Sequence, residues 1–116
     1  MCDTACSAGI TSIHMAVDSL LKGETTMAIA GASSVIIDPT ESSTLSLAGM
    51  MSTQGKSRSL DSSADGYIRS EGAAILVLKK LSTAIKDGDS IHAVIRSSFI
   101  THDGHVSFFL KFHRNF

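Results

Sequence analysis

Residues 73–78 read Ala-Ala-Ile-Leu-Val-Leu, six apolar side chains in succession with no polar residue to turn toward water. A strand with one wet face alternates, whereas an uninterrupted apolar run is what a strand covered on both faces requires. A second run, of small and apolar residues over 26–37, passes through Ala28-Ile29-Ala30-Gly31-Ala32, Ser33 and Ser34 to Val35-Ile36-Ile37 without helical periodicity. It stops at Asp38-Pro39, because the residue before a proline is pushed out of the helical region. Strands of this kind need helical layers against them, so an α/β layer structure is expected.

The strongest helical signal lies near the start. Ile13, Ala16, Val17, Leu20 and Leu21 fall in the stripe of a helix packed on one face. Asp18 and Lys22 stand four apart in the favourable order, and Gly23 follows as a terminator. Asp3, Thr4, Cys6 and Ser7 form a small polar cluster suited to capping the helix start. Further on, residues 41–51 are expected to form a short helix with Leu45, Ala48 and Met51 on one side, and residues 82–86 a helical turn before Asp87-Gly88-Asp89. Residues 91–100 alternate well enough to predict another strand.

Charge and composition exclude several classes of function. Ten Lys plus Arg against eleven Asp plus Glu give a net charge of -1, no field for nucleic acid or an anionic membrane. No apolar stretch approaches the roughly 20 residues of a membrane span, and no basic leader precedes an apolar run, so a soluble cytoplasmic protein is expected. Cys2 and Cys6 would close only a tiny loop and are expected to be reduced thiols, with no metal-ligand pattern around them.

Cys6 opens the predicted helix, where backbone N–H groups and the helix dipole favour a thiolate. Its small neighbours Ala5, Ala8 and Gly9 allow a sharp turn and a close approach by a substrate carbonyl. Position alone also allows a bland reading, in which Cys6 is a buried small residue beside a helix cap.

The segment Asp3-Thr4-Ala5-Cys6-Ser7-Ala8-Gly9 resembles the active-site segment of β-ketoacyl synthases, whose polyketide-synthase form is Asp-Thr-Ala-Cys-Ser-Ser. Ile13-His14-Met15-Ala16 is similar to the family's following helix, and Ala28-Ile29-Ala30-Gly31-Ala32 to its next strand. Residues 60–72, Leu-Asp-Ser-Ser-Ala-Asp-Gly-Tyr-Ile-Arg-Ser-Glu-Gly, resemble the family's Phe-Asp-x-x-Ala-Asp-Gly-Tyr-x-Arg-Gly-Glu-Gly block. Collinear motifs from residue 2 to residue 105 make chance similarity a poor explanation.

The resemblance implies a partial thiolase-like fold of α-β-α-β-α layers, comprising the later part of its first half and the start of its second. It implies a truncated ketosynthase domain over residues 1–104, followed by an unmatched tail over 105–116 that holds four of the five phenylalanines. It makes Cys6 the acyl-accepting nucleophile, with its own backbone N–H as an oxyanion donor, in an acyltransferase that condenses acyl and malonyl thioesters. No bound cofactor is implied; phosphopantetheine on an acyl carrier protein would carry the substrate.

The family's two condensing histidines belong to a His-Gly-Thr-Gly-Thr segment and a later Gly-His segment, and neither finds a counterpart here. His14 falls at a non-catalytic family position within the helix, His92 in the predicted strand, and His102 in the turn Thr101-His102-Asp103-Gly104. His105 and His113 lie in the unmatched tail. The chain is therefore expected to be inactive alone in condensation. The alternatives are a non-enzymatic partner of a full synthase subunit, or a gene remnant without function. Two local expectations complete the reading. Asp65 and Glu71 should order a loop rather than act as an acid–base pair, and Ser70, in place of a family glycine, would strain a turn that needs positive φ.

Overall fold

The computed structural model describes residues 2–102 and 104. They divide into two compact units, one from residues 2–33 and 73–102, the other from residues 34–72 and 104. In chain order the elements are α1 (Ala8–Lys22), β1 (Met27–Ser34), α2 (Pro39–Leu47), β2 (Gly72–Lys79) and α3 (Leu81–Asp87).

In the first unit, β1 and β2 pair as a two-stranded sheet. The strands approach so closely at Gly31 that a Cβ there would come 2.4 Å from the Ala74 carbonyl oxygen, so only glycine fits. α1 lies against one face of β1: Ser12 Oγ donates to Gly31 O at 3.5 Å, and a Cβ on Gly9 would lie 3.1 Å from Ala32 Cβ. Alternation along the strand therefore turns Ala28, Ala30 and Ala32 toward the helix. Among the described residues the buried side chains are one from each of three elements, Leu20 of α1, Ala30 of β1 and Ala84 of α3.

The opposite face is bare. Met27, Ile29, Ile75 and Val77 are 51–71% exposed, so the double coverage expected of these apolar runs is not met within the described residues. Two strands and two helices supply one covering layer, not two. The same shortage narrows the stripe of α1. Ile13, Ala16 and Val17 are half-buried and Leu20 is buried, but Leu21 is 73% exposed, because a narrow sheet covers only a narrow arc of the helix.

Helix ends follow local chemistry. Gly23 closes α1 at a φ of 76°, and its N–H donates to Leu20 O at 3.2 Å. Gly88 closes α3 in the same conformation, with a φ of 72°. Lys79, at the end of β2, reaches both Asp87 and Asp89 at 2.5 and 2.6 Å and fastens the strand to the end of α3. These carboxylates raise the lysine pKa above its ordinary value, Asp87 first.

α2, in the second unit, differs from its predicted span of 41–51. It starts at Pro39, because Asp38 accepts from Thr40 N–H at 2.6 Å as the cap and proline suits the first helical position. It ends at Leu47, where Gly49 takes a φ of 70° and Met50 N–H returns to Leu45 O. Residues 35–37 and 91–100 also depart from prediction, since neither belongs to a strand. A strand exists only through its ladder of partners, and the β1–β2 pair includes neither segment. The tail of residues 105–116 lies outside the described residues.

Candidate functional site

Cys6 stands two residues before the first residue of α1 and is exposed, which removes the reading of it as a buried packing residue. Cys2 is half-exposed, and both thiols are free. Immediately before Cys6, Ala5 takes a left-handed backbone with φ of 53°. For a residue with a Cβ this conformation costs about 1–2 kcal/mol, and it persists only where neighbouring contacts hold it.

Those contacts come from the polar cluster that sequence reasoning assigned to capping. Asp3 Oδ1 accepts from Ala5 N–H at 2.9 Å. Ser7 occupies the cap position but makes no side-chain bond to the helix; its Oγ donates backward to Thr4 O at 2.9 Å and Thr4 Oγ1 at 2.8 Å. Thr4 Oγ1 also pairs with Thr11 Oγ1 at 3.1 Å. The cluster thus shapes the turn that presents Cys6 and leaves the helix start without a side-chain cap. Sequence reasoning missed Thr11, because a spacing of seven from Thr4 is no capping motif; it brings the two hydroxyls together only once α1 has formed.

Among the other singled-out residues, His14, Glu71 and Asp65 make their hydrogen bonds elsewhere than at Cys6. His14 Nδ1 bonds Ser98 Oγ at 2.9 Å in a part-buried contact. His92 is exposed, outside any strand. His102 is engaged in an interaction of its own, and His105 and His113 lie outside the described residues.

Asp65 orders a loop, as expected. It accepts from Ser52 Oγ at 2.7 Å and from Thr53 N and Oγ1 at 3.1 and 2.9 Å, and these bonds, led by that from Ser52, hold its pKa below the ordinary 3.8. Glu71 accepts from Ile36 N–H at 2.6 Å, and Arg69 binds Glu41 at 2.6 Å and Ser42 Oγ at 2.8 Å. The strain expected at Ser70 is not found: only Ala5 and Leu60 among the described non-glycine residues have positive φ.

A hollow of about 520 Å³ in the second unit is lined by Val35, Ile37, Asp38, Thr40, Glu41 and Thr44 and includes none of the cysteine site. Among the described residues no cluster of His, Cys, Asp or Glu could hold a metal ion. None of their helices is long and apolar enough to cross a membrane.

The family model of the β-ketoacyl synthase N-terminal domain matches residues 1–84, and the chain belongs to this family. Among curated proteins it is 46% identical over 104 residues to phthioceranic/hydroxyphthioceranic acid synthase of Mycobacterium tuberculosis, covering 90% of this chain and 5% of that protein. It is 50% identical over 101 residues to a highly reducing polyketide synthase of Gibberella zeae, covering 87% of this chain and 4% of that one.

Among solved structures, an oxazolomycin ketosynthase domain of Streptomyces albus superposes with a TM-score of 0.83 at 36% identity, over 90% of this chain and 18% of that one. The ketosynthase from module 6 of the bacillaene synthase of Bacillus subtilis gives 0.74 at 38% identity, over 78% of this chain and 16% of that one. The fold is therefore a part of the thiolase-like ketosynthase architecture, and the chain corresponds to a ketosynthase segment of a polyketide synthase.

Proposed function

We propose that Cys6 is the acyl-accepting nucleophile of this ketosynthase segment, working on thioesters carried by the phosphopantetheine arm of an acyl carrier protein in the cytoplasm, where thiols stay reduced. The observation that carries the reading is the exposed Cys6 thiol directly after left-handed Ala5 at the start of the 15-residue α1. Its sulfur, as thiolate, forms a bond to the thioester carbonyl carbon, and the tetrahedral oxyanion faces the positive end of the helix dipole. Collapse breaks the bond to the pantetheine sulfur, which leaves and takes up the proton given by Cys6.

We infer that decarboxylative condensation is not performed by this segment alone. No His-Gly-Thr-Gly-Thr segment occurs in its 116 residues, and the His14 imidazole is engaged by Ser98 rather than by the cysteine turn. Intact-mass measurement after exposure to an acyl thioester tests the reading. A single acyl adduct on the wild type, absent from Cys6→Ala, supports it; a folded wild type that gains no mass overturns it.

A second reading is favoured by the bare face of the β1–β2 sheet, on which Met27, Ile29, Ile75 and Val77 are exposed. An apolar face of this kind suits association with a full synthase subunit, without chemistry of its own. Co-elution with an intact ketosynthase domain tests it, and a chain that elutes alone excludes it.

A further inference from the structure

The hydrogen bonds around Cys6 divide by what they can hold. Asp3 Oδ1 with Ala5 N, and Ser7 Oγ with Thr4, join residues two and three apart; they fix the shape of the turn but move with it. The bond between Thr4 Oγ1 and Thr11 Oγ1, at 3.1 Å and seven residues apart, is of another kind, since Thr11 belongs to the body of α1. Among the described residues it is the side-chain bond that ties the turn to the helix beyond Ser7. Thr4 Oγ1 lies within hydrogen-bond distance of both Ser7 Oγ, at 2.8 Å, and Thr11 Oγ1, at 3.1 Å, so the three hydroxyls form one connected cluster on both sides of Cys6.

We propose that Thr11 is a positioning residue: acting through Thr4, it sets the direction in which the strained turn presents the Cys6 thiol relative to the axis of α1. A turn that kept its shape but swung on the helix would leave the thiol accessible yet misaim it relative to the N–H groups of the first turn. This inference rests on the proposed role of Cys6, although the bond it invokes can be tested without that role.

The test uses the whole chain as wild type, Thr11→Val, which keeps the side-chain shape, and Thr11→Ser, which keeps the hydroxyl. Amide hydrogen exchange reads the Ser7 N–H, which donates to Thr4 O at 3.4 Å, and intact mass reads acylation by a butyryl thioester and alkylation by iodoacetamide. Removing one exposed hydrogen bond is expected to speed Ser7 exchange about threefold in Thr11→Val, with Thr11→Ser close to wild type. Acylation should fall by a similar factor while alkylation stays level, because only carbonyl attack depends on aim. Equal Ser7 exchange in all three proteins, or no rescue by serine, overturns the proposal. If the wild type takes no acyl group the role of Cys6 fails, and the exchange ratio still decides the role of Thr11.

Discussion

The His14 Nδ1 and Ser98 Oγ atoms lie 2.9 Å apart, joining residues 84 positions distant in a part-buried hydrogen bond. The bond fastens the segment 91–100, which has no strand partner in the β1–β2 sheet, to the helix that begins just after Cys6. Ser98→Ala leaves the imidazole nitrogen without this partner and is expected to cost about 1 kcal/mol. Urea unfolding followed by circular dichroism reads the loss, and His14→Phe with Ser98→Ala should cost less than the sum of the single changes.

Gly31 and Gly66 are the two positions at which a methyl group has nowhere to go. A Cβ on Gly31 would press on the Ala74 carbonyl at 2.4 Å, and one on Gly66, at a φ of 137°, would sit 2.6 Å from the backbone of Met51 and Ser52. Either alanine substitution is expected to destabilise its unit by about 3 kcal/mol. Loss of amide protection should stay within β1 and β2 for Gly31→Ala, and within residues 50–67 for Gly66→Ala.

Acid should open the loop that Asp65 holds. Its folded pKa lies below the ordinary 3.8, so its contribution is present above that value and is lost as pH falls through the lowered folded value. The Thr53 amide, which donates to Asp65 Oδ2, should therefore lose its protection, its exchange approaching the intrinsic rate, only below about pH 4. Asp65→Asn should show the fast exchange at neutral pH, together with quicker tryptic cleavage after Lys56 and Arg58.

The bare sheet face should make the chain self-associate. Ile29→Lys together with Val77→Lys replaces two side chains that are 70% and 64% exposed, so stability should change by no more than about 0.5 kcal/mol. Sedimentation should show a shift toward monomer, with helicity unchanged.

Much of the fold could be read in the residues themselves. The stripe from Ile13 to Leu20 with Gly23 beyond it fixes α1, and the unbroken run of residues 73–78 fixes β2, because periodicity and backbone preference act within a few residues. Asp38-Pro39 carried the start of α2 as well, as a cap followed by a proline, though the helix was expected two residues later. The strand expected over 26–37 ends at Ser34 and the one expected over 91–100 is not formed, since an apolar run or an alternation marks a chain able to pair but cannot name a partner.

Cys6 and its small neighbours were legible as a motif and as the start of a helix, and family kinship follows from that string of residues. What the string could not reveal was the left-handed Ala5 between Asp3 and Cys6, or that Ser7 turns back to Thr4 instead of capping α1. Nor could it show that Thr11 meets Thr4 seven residues back in the chain, or that His14 finds Ser98. Local sequence determines where helices and strands begin because the competing energies are local. Which hydroxyl meets which, and which sheet face stays bare, depends on distances between residues far apart in the chain, and only the folded arrangement sets them.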